Sequence, residues 1–365
     1  MTVQSEELQE LGDLTRTIFA SKVPPERLKE LEQGGYTWDE RLWAELCQAG
    51  ITSVPLSEDI GGMGFGLPAI CAVVQAQGHH VAPVPLWSSL LGHRVISLSE
   101  MDYTELLGSA MSGETRVTLA IEEAGLTPVD APVTRASSDG TTWVLNGVKI
   151  AVPHLQSATH FLASAATADG LGLFLVERNT SGPGIETLIS TDLDEVGVIT
   201  FEDTPASYVG GAELLQTLLD EAYIVLASLQ LGLGLGALEL TAKYVSNREQ
   251  FGRPIGSFQA VQHQLADALI GLDAVELSIL QALAHHENGD PKAGRAAKVA
   301  SWWGRTAGTT ALYTCQHVHG GIGVDVDYPL HRFYLWARQA ENTLGNAEEL
   351  LEAIGDDLVK HGATL

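Results

Sequence analysis

The sequence predicts a mainly α fold with a β-domain: an N-terminal helical domain, a central small β-barrel or sandwich, and a C-terminal four-helix bundle. Three observations predict it. Apolar residues recur at three- and four-residue spacing through about residue 113, the period shortens to two from Thr115, and the helical period returns after Gly210-Gly211 and persists to the end. The implied domains are 1–114, 115–210 and 211–365. With 365 residues and 45% hydrophobic content, the chain is long enough to bury a substantial core.

In the first part, Leu42-Trp43-Leu46 and Ile70-Val73-Val74 mark apolar helix faces. Between them, Gly61-Gly62-Met63-Gly64 predicts a tight loop that bulky residues could not follow. Strands are expected at 116–121, 141–149, 161–165, 171–177 and 198–202. Asn146-Gly147 predicts a two-residue hairpin turn between residues 142–145 and 148–150. Four long helices are then expected at 212–247, 258–287, 291–318 and 328–360. Asp290 before Pro291 has the form of a helix start. Long apolar helices with short connections argue for a bundle.

Composition narrows the function. Twenty Lys plus Arg stand against 46 Asp plus Glu, a formal net charge of −26 that repels polyphosphate backbones and anionic lipid. Nucleic acid and membrane are therefore not expected partners. An anionic thioester substrate would need local basic residues or a more basic partner chain. The polar, acidic residues 1–10 do not resemble a signal peptide, and no apolar stretch is expected to approach the ~20 residues of a membrane span. A cytoplasmic location follows. Cys47, Cys71 and Cys315 are widely spaced, which predicts buried thiols and no metal site. His79-His80 and His285-His286 read as helix-end residues, since adjacent side chains on a helix point to different sides. Gly232, Gly234 and Gly236 lie inside a helical stretch, which predicts close helix packing and not a dinucleotide fingerprint. Trp302-Trp303 is expected in the core or a subunit interface.

The most informative segment is Arg248-Glu-Gln-Phe-Gly-Arg-Pro-Ile255, followed by Gln259, Gln262 and Leu265-Ala266-Asp267. Arg248 offers a planar fork of donors suited to pyrophosphate. A second segment is Gln316-His-Val-His-Gly-Gly-Ile-Gly323 with Asp327-Tyr-Pro-Leu-His-Arg332, where Gly320-Gly321 lets backbone amides come close to a ligand. A third runs from Trp43 through Gly64 to Val81-Ala-Pro-Val-Pro85. Taken in chain order, the Trp43, Arg248 and Gln316 segments resemble acyl-CoA dehydrogenases over essentially the whole chain. That resemblance implies FAD as cofactor. It implies contacts to FAD, bound mainly by a neighbouring subunit, from Arg248, Gln250, Phe251, Gln259, Gln316, Gly320 and Gly321. It also implies oxidation of an acyl-CoA to the trans-2,3-enoyl-CoA, with a carboxylate taking the α-proton and with an electron-transfer flavoprotein as acceptor.

The chain departs from that family where the chemistry lies. The family's usual base position falls on Leu344, before Gly345, and leucine cannot accept a proton. The alternative base site on the first long helix falls near Ala222. Glu221 beside it is the one candidate for a relocated base, set against a solvated helix-start carboxylate. Residues 121–128 and Ala151-Val-Pro153 replace the stretches that in the family contact flavin and thioester. The losses concern one half of a cofactor site and the retained residues the other. The resemblance therefore implies a heterotetramer with two copies each of this chain and a related subunit. The partner would carry the base and most of the acyl-CoA site, as in bacterial steroid side-chain degradation. The competing readings are a self-sufficient homotetramer using Glu221, a flavin-free structural homologue and, more remotely, a flavin oxidase or monooxygenase.

Overall fold

Among the described residues, apolar faces at helical spacing give six α-helices before the first strand: α1 (Val3–Lys22), α2 (Pro25–Gln33), α3 (Glu40–Gln48), α4 (Gly66–His80), α5 (Leu86–Ser97) and α6 (Thr104–Met111). This computed structural model describes residues 3–362 except Leu126. Helix α3 starts where the Asp39 carboxylate accepts the amides of Arg41 and Leu42, and it buries Leu42, Trp43 and Leu46. The glycine loop behaves as expected, since a Cβ on Gly62 would lie 2.2 Å from the Leu56 carbonyl oxygen.

The strands are β1 (Val117–Ala120), β2 (Arg135–Ser138), β3 (Trp143–Val152), β4 (His160–Thr167), β5 (Gly170–Glu177), β6 (Gly184–Ile189) and β7 (Glu195–Gly211). Strands β4, β2, β3, β7 and β5 pair in that order, and β5 pairs back to β4, so the sheet closes into a barrel. Strand β1 adds to β4, and β6 adds to β7. Phe161, Phe174, Phe201, Leu145 and Ile199 fill the interior.

Asn146-Gly147 is not a hairpin turn. Strand β3 runs straight through it with a bulge, because Asn146 exchanges two hydrogen bonds with Asp203 on β7, at 2.9 and 3.0 Å. Gly147 is required by closeness instead: a Cβ there would lie 2.5 Å from Thr134 Oγ1.

Beyond the barrel come α7 (Ala212–Asn247), α8 (Gln259–Glu287), α9 (Ala293–Trp303), α10 (Thr309–His319), α11 (Leu330–Glu341) and α12 (Ala347–His361). The architecture is thus an N-terminal helical part, a central β-barrel and a C-terminal helical part. Two expected helices are divided. The 291–318 segment passes through a π-helical turn, Gly304–Gly308. The 328–360 segment breaks between α11 and α12, where Leu344 and Gly345 take positive φ of 60° and 93°. Asp290 accepts the Lys292 amide at 2.8 Å, and α9 begins one residue later.

By contacts the described residues form two compact units. One holds the residues up to Leu28, Cys71–Ala82 and those from Tyr223 onward; the other holds Lys29–Ile70 and Pro83–Ala222. In the first unit, α7 crosses α4 at backbone distance. A Cβ on Gly232 would lie 2.0 Å from the Gln75 carbonyl oxygen, and one on Gly236 would lie 2.4 Å from that of His79.

The expectation of no membrane-length apolar stretch needs correction. Helices α7 and α8 each contain an 18-residue window long and apolar enough to span. In α7 that window is 78% buried, which makes it a core helix, whereas in α8 it is 28% buried.

Candidate cofactor and base positions

Helix α7 ends in Lys243, Tyr244 and Asn247, and Arg248 follows at once. These four residues, with Leu240 and Tyr328, line an open recess of about 400 Å³. Arg248 is exposed, and its carbonyl accepts the Ile255 amide at 2.8 Å. That bond closes a two-stranded hairpin in which Glu249–Gln250 (β8) pairs with Arg253–Pro254 (β9). Phe251 and Gly252 form its tip with φ of 54° and 79°, the conformation of a type I′ turn. Phe251 is 92% exposed, an unusual state for a phenyl ring, and it meets Phe258 edge to face at 6.2 Å. The Arg253 guanidinium lies 4.1 Å over the Phe258 ring. Gln250 is exposed on β8, and Gln259 is the exposed first residue of α8.

An aromatic stack links this turn to the second glycine segment. Tyr244 stacks on His319 at 4.3 Å, and His319 Nε2 lies 3.0 Å from the Tyr328 hydroxyl. Burial depresses the His319 pKa below its usual value, which keeps the imidazole neutral within the stack. Gly320 follows directly with φ 65°, and Gln316 lies one turn earlier on α10. Cβ atoms built on Gly320 and Gly321 meet nothing within 4 Å, so a ligand can approach this backbone. The structure therefore brings Arg248 and the Gly320 segment to one face of this unit. Sequence reasoning missed Lys243, Asn247 and the Tyr244–His319–Tyr328 stack. The spacing of Lys243 and Asn247, one helical turn apart and next to Arg248, was the available signal.

The base positions are placed differently. Leu344 is 4% exposed and sits in the left-handed region within the α11–α12 break. Buried Arg305, in the π turn, donates to the carbonyls of Glu341 at 2.6 Å, Thr343 at 2.7 Å and Gly345. One guanidinium thereby satisfies the carbonyls that the break leaves outside a helix.

Glu221 is not a solvated helix-start carboxylate. It lies in the third turn of α7, is 0% exposed, and accepts from Arg94 Nε at 2.9 and 3.0 Å and from Arg94 Nη2 at 2.9 Å. The buried pair engages both carboxylate oxygens with one guanidinium.

The two barrel segments that depart from the expected pattern are also internally bonded. Lys149 is fully buried and donates to Glu123 at 2.7 Å, Ser164 at 3.0 Å and the Ile121 carbonyl at 3.1 Å. Burial pulls the Lys149 pKa down to about 8, against the pull of Glu123. Burial also pushes Glu123 up, but bonds from Lys149, Thr134 and Val133 outweigh it and leave its pKa lowered. In residues 121–128, Leu126 lies outside the described residues. Ala151 is exposed with φ 50°, and the Pro153 carbonyl accepts the Thr118 hydroxyl at 2.5 Å.

Known proteins match the chain over nearly its whole length. The acyl-CoA dehydrogenase N-terminal domain model matches residues 5–99, and the C-terminal domain model matches residues 210–359. Acyl-CoA dehydrogenase FadE27 of Mycobacterium tuberculosis is 36% identical, covering 98% of each chain. Among solved structures, a variant of the Tcur3481–Tcur3483 steroid ACAD superposes with a TM-score of 0.96 at 43% identity, covering 99% of this chain and 100% of the other. The ChsE4–ChsE5 complex from Mycobacterium tuberculosis superposes with a TM-score of 0.92 at 34% identity, covering 100% and 99%.

Proposed function

The chain belongs to the acyl-CoA dehydrogenase family, and from that premise we propose that it is the non-catalytic subunit of a heteromeric, FAD-dependent acyl-CoA dehydrogenase. The family uses FAD, and both solved structures named above are complexes of two different chains. The single observation that carries the reading is the state of Glu221. The one acidic residue at a candidate base position is fully buried and held on both oxygens by Arg94, while the other position is Leu344. A fully buried carboxylate engaged on both oxygens by a guanidinium is poorly suited to taking a substrate proton.

The residues present fit the phosphate-bearing half of FAD. Arg248, Lys243 and Asn247 supply donors to one recess, Gly320 and Gly321 leave their backbone open, and Phe251 offers a bare ring face. With Gln250, Gln259 and Gln316 they would hold the ADP side of a flavin shared with the partner chain. FAD, when bound, supplies the hydride acceptor for α,β-desaturation of the acyl-CoA. The carboxylate that takes the α-proton and most of the acyl-CoA site would come from the related subunit, in a tetramer with two copies of each chain. The division into 1–114, 115–210 and 211–365 is retained as the functional one. A steroid side-chain CoA thioester is the proposed substrate class, supported by the steroid ACAD likeness, and an electron-transfer flavoprotein the proposed acceptor.

Flavin content and native mass decide this reading. The chain co-expressed with a related dehydrogenase subunit is expected to give one FAD per pair of unlike chains in a tetramer. The chain alone is expected to hold little flavin. One FAD per chain in an active homotetramer would sink the proposal and return Glu221 to the role of base.

A further inference from the structure

The turn after β3 and the loop joining β6 to β7 meet in a cluster of three titratable groups that the proposed function does not use. His154 has φ 52° and is largely buried. Its Nδ1 lies 2.7 Å from Asp194 Oδ2, and its amide donates to the same oxygen at 2.8 Å. The Leu155 amide reaches the Glu195 carbonyl at 2.8 Å. The loop is folded on itself. The Asp194 amide points to Asp192 Oδ1 at 3.3 Å, the Ser190 hydroxyl donates to that same oxygen, and the Ser190 amide donates to the Asp194 carbonyl at 3.0 Å. Asp194 therefore binds the imidazole directly, and Asp192, held against the Asp194 amide, adds a second carboxylate to the cluster. Trp87 closes another side, its ring edge-on to His154 at 5.9 Å.

We propose that His154, Asp194 and Asp192 form an acid-strengthened clasp that ties the β6–β7 loop to the turn after β3. The proposal does not depend on where the flavin lies. With a neutral imidazole and two carboxylates the cluster carries two negative charges in a largely dry site. Uptake of a proton by His154 turns its bond to the Asp194 carboxylate into a hydrogen-bonded ion pair. Uptake of a second by Asp192 removes the repulsion between the carboxylates. The other charged groups nearby do not reverse this. Arg178 at the end of β5 is engaged by the Leu155 and Ala158 carbonyls, Arg116 donates to the Ser157 carbonyl, and Glu195 adds a further negative charge.

The direction of each titration agrees. Burial pushes His154 down, but Asp194 and then Asp192 outweigh it and raise its pKa above the usual 6.5. Its contribution is full below the ordinary histidine value and is lost as pH rises through the raised one. Burial and then the charge of Asp194 raise Asp192 to about 6, so its ionisation loosens the loop as pH climbs from its ordinary value, 3.8, to about 6.

Hydrogen exchange of the full chain tests the clasp, comparing peptides over residues 188–196 with peptides from β4 and β5 at pH 5.5 and 8.0. After correction for intrinsic exchange, protection of 188–196 relative to β4 and β5 should be on the order of three- to tenfold greater at pH 5.5, since one unit of linked pKa shift is a factor of ten. His154→Gln should shrink that difference severalfold while leaving β4 and β5 protected, the remainder being the Asp192 share. Equal relative protection at both pH values in the parent chain overturns the proposal. If His154→Gln does not fold, Asp192→Asn decides: a smaller difference supports the clasp, and an unchanged one refutes it.

Discussion

Glu221 and Arg94 are 127 residues apart in sequence and form one buried unit. Removing one member leaves the other charged in a site arranged for two. Glu221→Gln should therefore destabilise the fold by about 3 kcal/mol, read from urea midpoints at pH 7. Replacing both, as Glu221→Leu with Arg94→Met, should recover most of that loss, because an apolar pair needs no counter-charge. Turnover of the assembled enzyme by either variant that folds should match the parent. A folded Glu221→Gln protein that lost all dehydrogenation would instead identify this carboxylate as the base. The sequence indicated Glu221 as a candidate because helical counting works locally, but counting cannot report burial. The partner that decides its chemistry comes from a different helix. For Leu344 the sequence offered only the resemblance that sets a leucine at the family's usual acid position, and it could not show that the residue would be buried with positive φ in a helix break.

At the scale of elements, periodicity located the long helices within a residue or two, and it misread what interrupts them. The π turn at Gly304–Gly308 and the α11–α12 break are stabilised by Arg305 and by close packing on α7, not by local breaker residues alone. Strands β2 and β6 were missed for a related reason. Strand β2, Arg-Ala-Ser-Ser, buries one side chain, and β6 is an exposed edge strand, so neither carries an alternating apolar pattern. The glycine series in α7 was read correctly, since a small residue at every second position of an apolar helix has few other uses. Its energetics can be checked by comparison. Gly232→Ala would set a methyl 2.0 Å from the Gln75 carbonyl, and since backbone cannot rotate away, the loss should be about 2 kcal/mol or more. Gly355→Ala on α12 meets nothing within 4 Å and should stabilise by about 0.5–1 kcal/mol through helix propensity. Urea melts of the two variants should therefore move in opposite directions. A neutral Gly232→Ala would mean that α4 and α7 are not in backbone contact.

At the scale of the whole molecule, the chain carries a net charge of −26 yet leaves a long apolar stripe on α8 uncovered. Ile270, Leu277 and Leu280 are 65%, 67% and 55% exposed, and their spacing of seven and three residues aligns them on one face. A patch of this kind on an isolated chain marks an interaction surface or an aggregation hazard. The heteromeric reading makes it the seat of a partner helix, and a partner less acidic than this chain would also relieve the charge. Ile270→Ser with Leu277→Ser removes apolar contact without adding charge. Because both side chains are exposed, the urea midpoint of the chain alone should shift by no more than about 0.5 kcal/mol per site. Co-expressed with the related subunit, the double variant should nevertheless fail to reach tetramer mass, and bound flavin should fall with it. The linkage matters because the proposed ADP-side residues begin at Arg248, in the hairpin that leads into α8. Loss of tetramer with retained flavin on this chain would show that it closes a cofactor site unaided. An unchanged native mass would place the subunit contact on another face, and the exposed stripe would then need a different occupant.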